Sequence, residues 1–136
     1  MTKDDKYFMN IAYNEALKAF NKDEIPVGVV IVKDNKIISK AHNLRDSSNI
    51  VTKHAEIIAI EKANKKLNNW RLVNCTLYST LEPCNMCSEV IKETKIKNVI
   101  YAAKGNNSQY TQINDQTMIK KCENIIKSKF KEIRNN

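Results

Sequence analysis

The amino-acid sequence predicts a three-layer α/β/α fold in which a mixed central sheet lies between two layers of helices. Its 136 residues fit one domain, because domains most often contain about 100–150 residues. Short β-branched runs alternate along the chain with longer segments of helical periodicity. The sequence holds two Gly and two Pro, which is unlike the composition of a flexible linker. We therefore expect a single domain over residues 1–136, with helices on both faces of its sheet.

The first half of the chain predicts a helix, a strand pair and a second helix. Residues 2–5 fit a helix cap, and the apolar face of the helix that follows carries Phe8, Ile11, Ala12, Leu17 and Phe20. The β-branched run at 27–32 predicts a buried strand, which a turn joins to a second strand at 37–41. A polar loop at 43–49 precedes a helix over 52–67, whose apolar residues recur at helical spacing.

The second half predicts two further strand–helix pairs. A strand at 75–80 leads into a helix over 83–94, and Pro83 suits its first turn, where a missing N–H costs nothing. A strand at 98–103 follows. The stretch 104–116 is polar and irregular, with room for one short strand, and an amphipathic helix over 117–134 ends the pattern.

Charge and hydropathy limit the class of protein. The 23 Lys and Arg against 15 Asp and Glu give a net charge of +8, which favours a nucleic-acid partner. All but three of the basic residues are lysines, however, and Asn and Ile are also abundant, so codon bias in an AT-rich gene is a rival explanation. No apolar run approaches the roughly 18 residues of a membrane span, and the N-terminus has no apolar signal core. We therefore expect a cytoplasmic protein.

The residues that carry chemistry lie at the starts of two helices. His54 and Glu56 open one helix, and the run Pro83-Cys84-Asn-Met-Cys87 opens another directly after a strand. One imidazole and two thiolates supply three ligands suited to zinc, and a fourth tetrahedral position stays open for water. A helix N-terminus also lowers the pKa of a cysteine. Glu56 is two residues from His54, where a base that handles the proton of a zinc-activated water must stand.

Two simpler interpretations, a redox pair and a structural zinc site, fit these residues less well. Cys84 and Cys87 could form a redox pair, but redox motifs carry Pro or Gly inside the pair, whereas here Pro83 precedes it. A structural zinc site needs a fourth ligand, and the candidates lack a partner at ligand spacing; they are His42, Cys75 and Cys122. We expect Cys75 and Cys122 to be core residues.

The combination of motifs resembles the cytidine/deoxycytidylate deaminase superfamily, whose signature is H-x-E followed by P-C-x-x-C. Within it the chain is most similar to bacterial tRNA-specific adenosine deaminases, which convert the wobble adenosine of an anticodon to inosine. The matching segments are EIPVGVVIV, the Asn of AHN, KHAEIIAIEKA and TLEPCNMC. The resemblance covers about residues 7–103 and, more weakly, 117–134.

The resemblance implies a cytidine-deaminase-like fold and a role for each matching residue. It gives zinc as the cofactor, with His54, Cys84 and Cys87 as ligands and Glu56 as the proton shuttle in the attack of water on C6 of adenine. It also implies that Asn43 contacts the flipped base. Its partners would be the anticodon loop of tRNA and a second copy of the chain. An apolar patch on the helix after Pro83 is compatible with a homodimer, and it comprises Met86, Val90 and Ile91.

The chain departs from this family at the expected rim of the substrate site. The region 104–116 is shorter and poorer in Gly than expected, which leaves the identity of the substrate open. A deaminase of a free base or nucleoside, of guanine or cytosine type, is the alternative, and a silent zinc-binding subunit is a third possibility that Glu56 argues against. If RNA is bound, positive charge is needed along the rim, and the lysines expected to supply it are Lys53, Lys104, Lys120 and Lys121.

Overall fold

The structure, a computed structural model, describes residues 4–107 and 109–135. Its helices and strands are α1 (Asp5–Asn21), β1 (Gly28–Lys33), β2 (Lys36–His42), α2 (Arg45–Ser48), α3 (Ala55–Leu67), β3 (Cys75–Leu81), α4 (Asn85–Thr94), β4 (Asn98–Ala103), β5 (Thr111–Gln112) and α5 (Gln116–Asn135). Apart from α2, which was not predicted, the order of the elements matches the predicted order, including the short strand in the polar region.

The strands form one mixed sheet in the order β2-β1-β3-β4-β5. β1 is antiparallel to both β2 and β3, whereas β3, β4 and β5 are parallel. Gly28 pairs with His42 and Val29 with Ser79, so the start of β1 and the ends of β2 and β3 share one edge of the sheet. Leu81 pairs with Ala103, so β4 ends at this edge as well. We call it the carboxyl edge, after the ends of β3 and β4.

Side chains of the central strands alternate between two cores, one on each face of the sheet. Helices α3 and α4 cover a core that includes Val29, Ile31, Leu77 and Ile91. Helices α1 and α5 cover the other, which includes Val30, Val32, Tyr78, Ala102 and Cys122. This arrangement confirms the predicted three-layer α/β/α fold, and it buries both faces of β1, as its unbroken apolar run indicates.

Several predicted details differ from the structure. Asp4 caps α1 by accepting a hydrogen bond from the Tyr7 amide, while residue 2 of the predicted cap lies outside the described residues. Leu17 is exposed rather than on the buried face of α1, which includes the predicted Ala12 and also Met9, Ala16 and Ala19. The polar loop after β2 contains the single turn α2, and the next helix begins at Ala55 rather than at residue 52.

Helix α1 crosses the start of β1 at very short range. A Cβ added at Gly28 would lie 1.9 Å from the carbonyl oxygen of Ala12 and 2.6 Å from the amide nitrogen of Ala16. The Gly28 amide donates to the hydroxyl of Thr80 on β3 at 3.0 Å. Glycine is therefore required at position 28 by the approach of the helix.

No helix in the described part of the chain combines the length and apolar character that crossing a membrane requires.

Candidate metal centre

Three candidate ligands converge at the carboxyl edge of the sheet. His54 is the N-cap of α3, Cys84 is the N-cap of α4, and Cys87 lies in the first turn of α4. The Nδ1 atom of His54 is 3.5 Å from the Sγ atom of Cys87 and 3.9 Å from that of Cys84. All the ligand atoms of the three residues lie within 4.8 Å of one another. The two helix starts therefore meet as the sequence predicts.

Local backbone conformation explains how these side chains come together. His54 and Cys84 have extended backbone angles, and neither side chain forms a capping hydrogen bond with its own helix, so both remain directed to other partners. The fully buried Pro83 separates the end of β3 from α4. Because α3 and α4 contact each other on one face of the sheet, their first turns are neighbours.

The donor set fits a zinc ion. With Zn–S of about 2.3 Å and Zn–N of about 2.0–2.1 Å, a tetrahedral ion separates a thiolate sulfur from an imidazole nitrogen by about 3.6 Å. The two sulfur–nitrogen distances fall on either side of this value. Burial, and then the nearby charge of Arg45, lower the pKa of His54 and so favour the neutral imidazole that a metal binds. Among the described residues, no fourth Cys, His, Asp or Glu joins the group.

The predicted effect of the helix N-terminus on the thiols is not met at Cys87. Burial raises the pKa of Cys87, and the neighbouring Glu56 and Cys84 raise it further. Desolvation is the largest cause of this rise, since burial disfavours the charged thiolate. A group of buried acids of this kind ionises most readily when a cation is present, which agrees with the zinc-binding donor set.

Glu56 lies in the first turn of α3, beside the three candidate ligands. Its side chain is buried, with 5% of the residue exposed. Burial raises the pKa of Glu56, and hydrogen bonds from its own backbone amide and from Cys87 offset this only in part. A carboxyl group with a raised pKa beside a metal centre is suited to accepting a proton and returning it.

A cleft of about 140 Å³ opens beside the metal centre. His54, Glu56 and Cys84 line one side, and Asn43 and Arg45 line it from the loop between β2 and α3. Apolar contacts come from Ile25, Val27, Ala55 and Leu81. The structure thus brings Asn43, which is 7% exposed, into the same cleft as the candidate ligands and Glu56.

Two buried glutamates fix chain segments near this cleft, and the second of them, Glu82, lines it. Glu24 accepts hydrogen bonds from the backbone of α2, and Glu82 accepts them from Gly105 at 3.0 Å and Asn107 at 3.3 Å. Residues 104–107, which we call the connector, are therefore held against the end of β3. Sequence reasoning missed both glutamates and Arg45. The sequence did carry a signal for Glu24 and Glu82: each is an acidic residue that lies near one end of a buried strand and close to a proline.

The four candidate rim lysines do not share one surface. Lys53 lies one residue before His54 and pairs with Glu61 of α3 at 3.3 Å. Lys104 is exposed and follows β4 at the carboxyl edge. Lys120 and Lys121 lie on α5, in the helix layer opposite α3 and α4, and the Lys121 ammonium is 4.5 Å from the centre of the Tyr13 ring.

The other cysteines and the second histidine lie away from the metal centre. Cys75 and Cys122 are buried, free thiols, which confirms their prediction as core residues. His42 binds the carboxylate of Glu15 through Nδ1 at 3.0 Å. The apolar patch expected on α4 is divided: Ile91 is buried in the core of the chain, whereas Met86 is 37% exposed.

A family model for the cytidine and deoxycytidylate deaminase zinc-binding region matches residues 2–103. The chain belongs to this deaminase family. Among curated proteins, it is 40% identical over 146 aligned residues to the tRNA-specific adenosine deaminase of Streptococcus pyogenes, with 96% of this chain and 92% of that protein covered. Zinc is the metal that this family binds, in agreement with the donor set.

Two solved structures place this deaminase among its relatives. One comes from studies of A-to-I editing by tRNA:A34 deaminases, with a TM-score of 0.80 and 30% identity over 88% of this chain and 99% of that chain. The other is guanine deaminase from Bacillus subtilis, with a TM-score of 0.72 and 40% identity over 75% of this chain and 66% of that chain. The three-layer fold of this deaminase is thus that of the cytidine deaminases.

Proposed function

We propose that this protein is a zinc-dependent deaminase that converts adenosine to inosine at the wobble position of tRNA. The observation that carries the proposal is the placement of a buried carboxyl group, Glu56, beside a three-ligand metal centre and a cleft. The similarity to a tRNA-specific adenosine deaminase over nearly the whole of both chains supports the substrate. Residues 1–136 form the single deaminase domain in this proposal.

The ligands of the proposed zinc ion are His54, Cys84 and Cys87. When bound, zinc supplies the Lewis acidity that makes a water molecule nucleophilic near neutral pH. The two helix starts hold the three side chains within the spacing that such an ion requires. Because Cys87 is buried while Cys84 is exposed, the open side of the centre faces the cleft through Cys84.

Glu56 moves protons in the proposed reaction. Its carboxylate accepts a proton from the attacking water and delivers it to N1 of the adenine ring, while the new C6–O bond forms. A second proton passes through the same carboxyl group to the amino group, and the C6–N bond then breaks to release ammonia. Water and adenosine give inosine and ammonia, so no redox partner is needed.

Asn43 orients the base in the cleft. An asparagine offers both a donor and an acceptor to the edge of a purine. Its Oδ1 already accepts the amide N–H of Arg45 at 3.2 Å, which fixes the rotamer and leaves the amide NH₂ for the base. An adenosine must leave the stacked anticodon loop to enter this cleft, and in an anticodon loop the bases are already accessible to a protein.

Deamination of free guanine is the second candidate. The similarity to guanine deaminase from Bacillus subtilis supports it, as does the shortness of the segment between β4 and α5. A free base needs a small enclosed site, whereas RNA needs an open rim with positive charge.

A direct comparison of substrates tests the proposal. The purified protein is incubated with an anticodon stem-loop that carries adenosine at the wobble position and, separately, with free guanine, cytosine and adenosine. The proposal expects inosine in the stem-loop, detected by sequencing or nucleoside analysis, with Glu56→Ala as the inactive control. Release of ammonia from free guanine with an unchanged stem-loop would replace the proposal by the second candidate.

The proposed substrate also bears on location and assembly. We propose a cytoplasmic location, in line with the sequence-based expectation, because the proposed tRNA substrate would be met there. We also propose a homodimer, for which the exposed Met86 at the start of α4 offers an apolar contact. Light scattering at micromolar concentration tests this, and a monomer would count against it.

A further inference from the structure

Glu24 is a fully buried carboxylate in the turn between α1 and β1. The amide N–H of Asp46 donates to its Oε1 atom at 3.0 Å, and that of Ser47 donates to its Oε2 atom at 2.6 Å. The hydroxyl of Ser47 also donates to Oε2. Every partner is a donor, so the carboxylate satisfies them all, whereas an amide in its place would direct its own N–H groups at one of them.

These hydrogen bonds fix the backbone from which Arg45 projects. They bind two backbone amides of α2, and the side chain of Asn43 accepts a hydrogen bond from a third, the Arg45 amide. The Leu44 amide donates to the carbonyl oxygen of Lys53 at 2.9 Å, which closes the loop one residue before His54. Hydrogen bonds therefore fix the backbone amides of Leu44, Arg45, Asp46 and Ser47, and with them the position from which the Arg45 side chain projects.

The Arg45 side chain stands at the mouth of the cleft. Among the described residues that line the cleft, Arg45 is the one lysine or arginine. Its side chain is 44% exposed, and its Nε atom lies 3.4 Å from the carboxylate of Asp46, which is itself 62% exposed. Such exposed pairs are weak. Within residues 4–107 and 109–135, the two terminal nitrogens of the guanidinium form no hydrogen bond.

We propose that Arg45 binds a backbone phosphate adjoining the target nucleotide, and that Glu24 is the positioning residue that holds Arg45 at the cleft. This inference rests on the proposed function, because a free base carries no phosphate. A nucleotide whose base enters the cleft brings its phosphates to the cleft mouth. The planar guanidinium matches two phosphate oxygens with two parallel N–H bonds, and the terminal nitrogens of Arg45 are available for them.

Binding of the stem-loop tests the role of Arg45. Affinity is measured by fluorescence anisotropy at several salt concentrations, in a Glu56→Ala background that prevents turnover. Arg45→Gln is expected to weaken binding by about five- to tenfold at low salt and to reduce the slope of log K against log[salt] by about 0.7. Lys36→Gln removes the same charge at the exposed β1–β2 turn, at the opposite edge of the sheet, and should change neither quantity.

A double-mutant cycle tests the role of Glu24. Glu24→Gln should raise KM for the stem-loop and leave the zinc content unchanged. If Glu24 acts through Arg45, the double variant with Arg45→Gln binds RNA no more than about twofold more weakly than Arg45→Gln alone. Tyr78→Phe is the control for a general loss of stability. It removes the 2.6 Å hydrogen bond to Asp5 on the face of the sheet that α1 and α5 cover, opposite to α3 and α4. It should leave KM unchanged.

The outcomes separate this inference from the proposed function. If the wild-type protein edits the stem-loop but Arg45→Gln keeps the full salt dependence, the phosphate contact is wrong and the proposed function stands. Fully additive effects of the two substitutions would show that Glu24 does not act through Arg45. If the wild-type protein leaves the stem-loop unedited, the proposed function fails and this inference fails with it. Because the Arg45 side chain is partly exposed, we expect Arg45→Gln to fold like the wild-type protein.

Discussion

The metal centre and the rim of the cleft are built in different ways. The metal centre consists of His54, Cys84 and Cys87, and Glu56 lies beside it; all four residues are in the first turns or caps of two helices packed on one face of the sheet. The rim consists of loop 43–53 and Glu82. The buried Glu24 accepts hydrogen bonds from the loop, and Glu82 accepts them from the connector. Helix starts thus position the candidate ligands and Glu56, whereas side-chain hydrogen bonds position the loop that lines the cleft.

This difference predicts that the two regions can be altered separately. Changes at the metal centre should reduce kcat for every substrate, since the same metal and the same carboxyl group would act on each. Changes at the rim should alter KM and salt dependence for RNA while zinc stays bound. The predictions below test that separation, beginning with the largest expected effect.

Cys84→Ser should remove zinc, activity and part of the stability together. A bound ion stabilises the folded state, so its loss is expected to lower Tm by roughly 5 °C or more as well as to abolish turnover. Metal analysis and thermal unfolding measure the two effects. Cys75→Ser, which removes a buried thiol from the start of β3, should keep the zinc. Full zinc content in Cys84→Ser would disprove its role as a ligand.

Glu56→Ala should abolish deamination while the zinc and the fold remain. One general acid–base step contributes about 10²–10⁴-fold, and Glu56 serves more than one proton transfer, so kcat should fall by at least the upper value. Single-turnover assays with the stem-loop measure this loss. Glu61→Ala, on the exposed side of the same helix, is the matched control and should retain activity. Near-normal turnover in Glu56→Ala would exclude the proposed proton shuttle.

Neutralising the four candidate rim lysines should weaken RNA binding without affecting zinc. Each lost phosphate contact should lower the salt slope by about 0.7 for a single-stranded loop. Two double variants sharpen the test: one neutralises Lys53 and Lys104, which lie at the carboxyl edge. The other neutralises Lys120 and Lys121, which lie in the helix layer opposite α3 and α4. RNA binding unchanged in the quadruple variant would leave codon bias as the explanation of these lysines.

Glu15→Gln should change the acid stability of the protein more than its activity. Burial would raise the pKa of Glu15, but hydrogen bonds from His42 and Lys18 and their charges lower it overall. A carboxyl group with a lowered pKa stabilises the folded state above the usual glutamate pKa of about 4.3, and this stabilisation is lost as pH falls through the folded value. Urea unfolding below pH 5 should therefore show a shallower loss of stability in the variant. An identical slope would contradict this account.

The sequence predicted most of the fold because its signals are local. Apolar runs, helical periodicity and Pro83 gave nine of the elements, and the ligand spacing located the metal centre. It could not reveal Glu24, Arg45 or Glu82, since their roles depend on contacts across 20 or more residues of chain. The exposure of Leu17 was missed for a related reason: the rotation of α1 is set by its close contact with Gly28, which no periodicity records.

The crossing of α1 over Gly28 limits how this protein can be re-engineered. No larger residue fits there while the helix backbone stays in contact with the strand. The helix ends shortly before Glu24, so a shift of α1 would also move the turn that carries this residue. The connector, in contrast, is held by a few hydrogen bonds to Glu82 and Ser88 and lines a pocket next to the cleft. Insertions and grafted loops are therefore better tolerated in the connector than at the contact between α1 and β1.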